Sequence, residues 1–269
     1  MNKLEELNKE LRKTIVDLHE HSRTSHIGSS LSCIDILSVL YFRVMEVNPT
    51  IPEMDNRDIL ILSKGHAAPA LYATLQKRGF FSKEVLEKYG EEGTLLFEHP
   101  EKGAIPGIEA STGSLGHGLP IGVGIANFAK IKGKTFRTFV VMSDGECQEG
   151  TTWEASMLAS KLGLGNLIVI VDYNNLQGFG RTEEIQSDIR IASRFESSGW
   201  IVKKIDGHNL NEIEETIKEI PENGSIPTVV LAKTTKGKGI KKIEDKLEWH
   251  YKCPTPEQAL EFKQEIDKI

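Results

Sequence analysis

Cysteine is scarce in this chain: Cys33, Cys147 and Cys253 are the only three in 269 residues, odd in number, far apart and in no CxxC pairing. That argues against a disulfide framework or a cysteine-built zinc site, and for a reducing compartment. Blocks of basic residues are also missing. With 33 Lys and Arg against 39 Asp and Glu, the formal charge is −6, and nothing implies a nucleic-acid partner. Long hydrophobic runs are absent too, because the purest, LIVIV at 167–171, falls far short of the ~20 apolar residues a bilayer span needs. The N-terminal stretch MNKLEELNKELRKTIVDLHEH is too charged for a signal peptide, and its Leu4, Leu7, Leu11, Ile15 and Leu18 recur at helical spacing. These absences predict a soluble, cytoplasmic protein with no membrane attachment that opens on an amphipathic helix.

What the chain does have is alternation. Apolar, β-rich runs stand at DILILS (58–63), RTFVVM (137–142), NLIVIV (166–171), WIVKKI (200–205) and PTVVLA (227–232), with helix-like patterns between most of them. Strands alternating with helices predict βαβ units and therefore an α/β fold, a parallel sheet with helices on both faces. EGTTWEASMLASKLG predicts a helix whose Trp153, Met157, Leu158 and Leu162 form one apolar stripe, stopped by Gly163. Residues 90–120 are dense in Gly and Pro without a sustained period. They predict a long loop ordered by Leu95, Leu96, Phe97, Ile105 and Ile108. No internal repeat, low-complexity tract or linker interrupts the chain, so 1–269 reads as a single domain.

The sharpest local feature is VVMSDGECQEG at 140–150, where Asp144, Glu146 and Glu149 crowd the end of an apolar run. Carboxylates there repel one another and lose solvation, so either a cation sits among them or the stretch is a solvated loop. The next apolar run leads straight into Asp172-Tyr173-Asn174-Asn175. If the two strands are neighbours, Asp144 and Asn174 share a crevice at the carboxyl edge of the sheet. A carboxylate and an amide oxygen are hard ligands for Mg²⁺, which takes its other oxygens from phosphates and water. Standing alone, Ser-Asp-Gly is a turn more often than a metal site.

The pair resembles the thiamine diphosphate-binding signature, a Gly-Asp-Gly followed at like spacing by Asn-Asn or Asn-Lys, with Ser143 in place of the first glycine. The wider sequence resembles the N-terminal half of transketolase. SHIGSS (25–30), LSKGHAAPALYA (62–73), FEHPEKGAIPGIEASTGSLGHGL (97–119), SDGECQEGTTWEA (143–155), GNLIVIVDYNN (165–175) and KTTKGKG (233–239) occur in the family's order. The resemblance implies Mg²⁺, or Ca²⁺ or Mn²⁺ in its place, held by Asp144, Asn174 and the backbone carbonyl of Leu176. It implies thiamine diphosphate contacted by His66, Gly113, Leu115, Gly145, Glu146 and Asn174. It also implies catalytic roles for His26, His66, His99 and His250 towards the sugar, and directs Glu149 across a dimer to the partner's cofactor-activating glutamate.

The residues themselves leave rival readings open. Histidine titrates nearest neutral pH and suits proton transfer, yet any one of these four, taken singly, reads as a surface or core residue. His19, His21 and His208 lie outside the matched catalytic blocks and read as structural. The glycines of TGSLGHGLPIGVG are spaced GxxGxG, not as the dinucleotide fingerprint. They either expose backbone N–H groups to an anion or cofactor, or permit close helix packing. KTTKGKG lacks the Walker A order, so Lys233 and Lys236 stand either at the mouth of the site or in a solvated loop. Glu149 has the alternative of an ordinary place in the first turn of a helix.

Full-length transketolases carry two further domains, whereas this sequence closes on TPEQALEFKQEIDKI, which reads as a capped helix. The resemblance therefore implies the N-terminal subunit of a split transketolase. Such a subunit would transfer a two-carbon ketol unit between sugars or sugar phosphates, assembled as an α2β2 heterotetramer with a separate C-terminal subunit. Half of a deoxyxylulose-phosphate synthase or the α subunit of an oxo-acid dehydrogenase is the nearest alternative. A noncatalytic scaffolding remnant is another.

Overall fold

The computed structural model describes residues 3–185, 190–222 and 224–269, so Met1 and Asn2 of the predicted first helix lie outside the described residues. In chain order the elements are α1 (Lys3–Ser22), α2 (Ile27–Val39, continued by a wider turn over Leu40–Val44), β1 (Ile59–Leu62), α3 (Ala68–Arg78) and α4 (Lys83–Glu87). Then come α5 (Gly118–Ile131), β2 (Thr138–Ser143), α6 (Gly150–Leu162), β3 (Leu167–Tyr173) and a small antiparallel ribbon, β4 (Leu176–Gln177) with β5 (Gly180–Arg181). The chain continues through α7 (Thr182–Ile185), α8 (Ile191–Ser197), β6 (Ile201–Asp206), α9 (Leu210–Lys218), β7 (Thr228–Lys233) and α10 (Pro256–Ile266).

All five predicted strands join one sheet in the order β1-β2-β3-β7-β6, every pair parallel. Alternate residues on a strand face opposite ways, and here both faces are apolar. Leu60, Leu62, Phe139, Val141, Ile168 and Ile170 join the core that holds the buried faces of α1, α2, α3 and α10. Ile61, Val140, Met142, Val169 and Val171 face the second core, with residues of α5, α6 and α8. The strand register sets Ser143 beside Asp172, which brings the ends of β2 and β3 together at the carboxyl edge.

One stretch, Ile27–Val44, is long and apolar enough to cross a bilayer, a length that LIVIV alone did not reveal. It is 83% buried inside the protein, and all of α2 is covered by neighbouring elements, so here it is a core helix. The predicted stripe on α6 divides. Trp153 and Leu162 pack against the second core, but Met157 and Leu158 are 57% and 50% exposed. The buried face is built instead from Thr152, Ala155, Ser156 and Ala159, small side chains that let α6 approach its neighbours closely. Gly163 ends the helix as expected, in the left-handed conformation. Thr255 and Gln258 form a reciprocal cap on α10.

The glycine- and proline-rich segment has no helix or strand between Lys88 and His117. Leu96, Ile105 and Ile108 anchor it in the first core, while Leu95 and Phe97 remain exposed. Hydrogen bonds tie it to regular elements: Tyr72 Oη donates to the Phe97 carbonyl at 2.8 Å, Thr112 Oγ1 to the Leu62 carbonyl at 2.7 Å and Thr151 Oγ1 to the Gly116 carbonyl at 3.0 Å.

Candidate functional site

A cavity of about 270 Å³ opens at the carboxyl edge of β1, β2 and β3, and nearly every predicted site residue lines it. His26, His66, His99, Gly113, Leu115, Asp144, Gly145, Asn174, Leu176 and His250 all contribute. Two larger hollows, of about 780 and 360 Å³, lie towards the β6–β7 edge and contain none of them.

The acidic turn follows directly from the end of β2. Asp144 is buried, and its carboxylate accepts from the Gly145 N–H at 2.9 Å, the Asn175 N–H at 2.7 Å and Thr182 Oγ1 at 3.0 Å. Burial, reinforced by nearby Asp172, raises its pKa to about 6. Asn174 is oriented by its Oδ1, which accepts the Leu176 N–H at 3.1 Å. The Leu176 carbonyl accepts from Lys236 Nζ at 2.9 Å, an amine whose pKa burial lowers to about 7. A carboxylate, an amide oxygen and a backbone carbonyl on one cavity suit a hard divalent cation, and a buried carboxylate with a raised pKa is the kind of group such a cation would stabilise. The residues present therefore fit the metal that the motif implies. Ser143 replaces the expected glycine without backbone strain, because it does not sit at positive φ, and its Oγ accepts the Glu146 N–H at 3.3 Å.

Glu146 does not line the cavity. It is fully buried and braced by Ser63 Oγ and by the Gly116 N–H at 3.0 Å, so it locks the TGSLGHG loop onto the acidic turn. Glu149 lies outside the cavity as well, exposed at the start of α6 beneath Gly116.

Three histidines meet in the same cavity. The ring centroids of His26 and His250 are 4.9 Å apart, those of His26 and His66 5.2 Å, and those of His66 and His250 6.1 Å. His99 stands beside Gly113, where a Cβ would come within 2.7 Å of its ring. Burial, with Lys236 and Lys64 nearby, holds His26 at about 4 and His250 at about 3. Burial and Lys64 likewise hold His66 well below 6.5. Near pH 7 these three rings are thus neutral and able to accept a proton or a hydrogen bond. His26 also sits at φ 75°, a left-handed conformation costly for a non-glycine residue. Its N–H donates to the His250 carbonyl at 3.0 Å, and its own carbonyl accepts the Ser29 and Ser30 N–H groups, which fix it there.

Two buried lysines also line the cavity, and of these only Lys236 had a reading in the sequence. Lys64 is 1% exposed and ion-paired with Asp172, whose carboxylate also accepts from Ser32 and Thr234 hydroxyls. Although burial disfavours both charges, each holds the other ionised, which raises Lys64 and lowers Asp172. Lys236, expected at the mouth or in a solvated loop, is 2% exposed inside the cavity, where it meets His250 Nδ1 at 2.6 Å. Lys233 is exposed on the neighbouring larger hollow. Tyr251 and Phe179 flank the cavity unanticipated, whereas His117 is an exposed residue bonded to the Leu115 carbonyl. The only advance sign of Lys64 was its place inside the LSKGHAAPALYA block.

Comparison with known proteins agrees with this arrangement. Residues 4–265 match the family model for transketolase, thiamine diphosphate binding domain. This chain belongs to that family. It is 40% identical over 257 residues to one of the apulose-4-phosphate transketolase subunits of Phocaeicola vulgatus, covering 96% of this chain and 91% of that protein. A 6-deoxy-6-sulfo-D-fructose transketolase subunit of a Clostridium species is 38% identical, covering 90% of this chain and 88% of its own length. The transketolase of Campylobacter jejuni superposes with a TM-score of 0.90 at 32% identity over 98% of this chain, but only 43% of that longer polypeptide is matched. The parallel sheet read from the alternating runs is therefore the transketolase cofactor-binding fold, and the chain is a transketolase-type transferase subunit.

Proposed function

We propose that this chain is the cofactor-holding half of a two-chain transketolase that transfers a two-carbon ketol unit from a ketose or ketose phosphate to an aldose. The observation that carries the reading is one cavity lined both by neutral His26, His66 and His250 and by the oxygen donors of Asp144, Asn174 and Leu176. Two relatives of almost the same length are themselves named as transketolase subunits.

Asp144, Asn174 and the Leu176 carbonyl hold Mg²⁺, or another divalent cation such as Ca²⁺ or Mn²⁺. Through it they hold the diphosphate of thiamine diphosphate. Gly113, Leu115, Gly145, Asn174 and His66 contact the rest of the cofactor, and Glu146 supports them from behind. Once bound, thiamine diphosphate supplies the electron sink for carbon–carbon bond cleavage. His26, His66, His99 and His250 orient the sugar's carbonyl and hydroxyl groups, and one of them removes the hydroxyl proton as the bond breaks. Glu149 reaches towards a neighbouring subunit. The working form is a cytoplasmic α2β2 assembly with a transketolase C-terminal subunit. Ordinary pentose phosphates, apulose 4-phosphate and 6-deoxy-6-sulfo-D-fructose, the last two named for the relatives, are the sugars to try first.

The test is reconstitution. The chain is purified alone and with a C-terminal-type partner, supplied with thiamine diphosphate, Mg²⁺ and a panel of ketose donors, and assayed for ketol transfer. Turnover that requires both chains is expected. No transfer from any donor by an assembly that binds the cofactor would overturn the activity.

A further inference from the structure

His208, set apart from the cavity histidines by sequence, is bonded to Thr235, the residue before Lys236. Its ring lies between the two larger hollows and makes two well-formed hydrogen bonds. Nε2 accepts the backbone N–H of Thr235 at 2.8 Å, and Nδ1 faces Asp35 Oδ2 at 2.8 Å. A backbone N–H can only donate, so Nε2 carries no proton and Nδ1–H donates to the carboxylate; the tautomer follows from the geometry. Asp35 is fixed in turn by the two terminal nitrogens of the Arg12 guanidinium, at 3.0 and 2.6 Å, and by Asn8 Nδ2 at 2.6 Å. Burial works against that charge, yet the Arg12 guanidinium and His208 hold Asp35 at about 2. Arg12 also reaches past Asp35, where its Nε donates to the Lys238 carbonyl at 3.2 Å.

The segment gripped in this way is the turn after β7. Thr234 is tied at one side to Asp172 and to the Tyr173 carbonyl, and the Gly237 N–H donates to the Gly28 carbonyl at 2.9 Å. Gly237 turns at φ 79°, where a Cβ would lie 2.8 Å from the Ile243 carbonyl, so the turn has little room to relax. Between these anchors, the N–H of Thr235 is held by His208, and the next residue carries its amine into the cavity, onto the Leu176 carbonyl and His250. A group that locks the backbone next to a buried functional side chain fixes that side chain's aim.

We infer that His208, backed by Asp35 and Arg12, is a positioning residue for Lys236, holding the Thr235 amide so that the Lys236 amine stays between the Leu176 carbonyl and His250. The consequence for turnover rests on the ketol-transfer reading above; the backbone consequence does not. His208→Asn keeps a donor for Asp35 but cannot reach Thr235, whereas His208→Gln keeps an acceptor at the Nε2 position. Because the ring borders open hollows, both changes leave the core untouched, and His208→Ala serves as a second variant lacking the acceptor. Amide exchange is followed at Thr235 and Lys236 in the cofactor-loaded assembly, together with kcat and KM. In His208→Asn and His208→Ala the Thr235 amide should exchange at least about tenfold faster and kcat should fall by a similar factor, with donor KM changed less than threefold. His208→Gln should stay within about threefold of the parent in both readouts. In a Lys236→Ala background, His208→Asn should cost no further activity, because the residue it positions is already gone. Unchanged Thr235 exchange in His208→Asn, equal behaviour of the Asn and Gln variants, or full additivity with Lys236→Ala would each overturn the inference. If no assembly transfers a ketol unit, the function reading fails, and the exchange comparison still decides the role of His208.

Discussion

At the residue scale, the acidic turn works because several donors orient one carboxylate. Asp144 accepts three hydrogen bonds that leave its oxygens fixed beside Asn174 and Leu176. Charge-assisted contacts are worth roughly 1.5 to 3 kcal/mol each, so Asp144→Ala should weaken Mg²⁺-dependent cofactor binding by more than about tenfold in the assembled enzyme. Titration calorimetry showing unchanged affinity would remove Asp144 from the metal site. His66→Ala and His99→Ala should each lower kcat by about 10²-fold or more if they serve acid–base steps, while a loss below threefold at both would contradict that role. His19 gives a different kind of test, because it is buried against the Thr24 carbonyl and Ser30 Oγ and titrates only at about 4. The unfolded chain takes up that proton near pH 6.5 and the folded one does not, so stability contributed here is lost as pH falls below 6.5. From pH 6.5 to 5 the loss from His19 alone is about 2 kcal/mol. Urea midpoints should drop more steeply over that range in the parent than in His19→Gln; parallel slopes would show that His19 titrates normally.

At the scale of elements, the sheet was readable because a parallel strand buried on both faces must be apolar almost throughout, as DILILS, RTFVVM and NLIVIV are. The neighbouring of β2 and β3 was only conditional in the sequence, and the Ser143–Asp172 register supplies it. Two things were not legible. Lys64 drew no reading of its own, and Lys236 was left between the mouth of the site and a solvated loop, because lysine is usually exposed; only the fold reveals the carboxylate and carbonyl that receive them. The α6 stripe misled because periodicity marks an apolar face without saying what covers it, and close packing went to Ala155 and Ala159 instead. The long loop makes its own prediction. It delivers Gly113, at φ 147°, against the ring of His99 with no space for a side chain. Gly113→Ala should therefore push His99 aside and reduce kcat at least tenfold, with little change in melting temperature, since the loop rather than the core yields. A variant with parental kcat would show that this close approach is not needed for turnover.

At the scale of the whole molecule, the question is what covers the apolar surface that the fold leaves open. Met157 and Leu158 on α6 are at least half exposed, as are Phe128 and Ile131 on α5, and Phe179 at the cavity mouth is 86% exposed. Helices α5 and α6 pack together and follow the glycine loop and the acidic turn respectively, and the exposed residues lie in their later turns. Large apolar residues left exposed on a packed helix pair are what a permanent interface leaves bare when its partner is removed. On that argument the chain alone should associate non-specifically or precipitate. With a C-terminal-type subunit it should instead form a 2:2 complex, its mass measurable by light scattering. Met157→Glu combined with Leu158→Glu should leave the monomer folded, because substitutions at exposed positions usually change stability by less than about 0.5 kcal/mol. The same pair buried in an interface would place two unpaired carboxylates in apolar surroundings and block assembly. The double variant should therefore be more soluble alone, fail to form the larger complex and lack ketol transfer. If it assembles to full mass with parental activity, the outer face of α6 lies outside the interface and the partner must sit elsewhere on the chain.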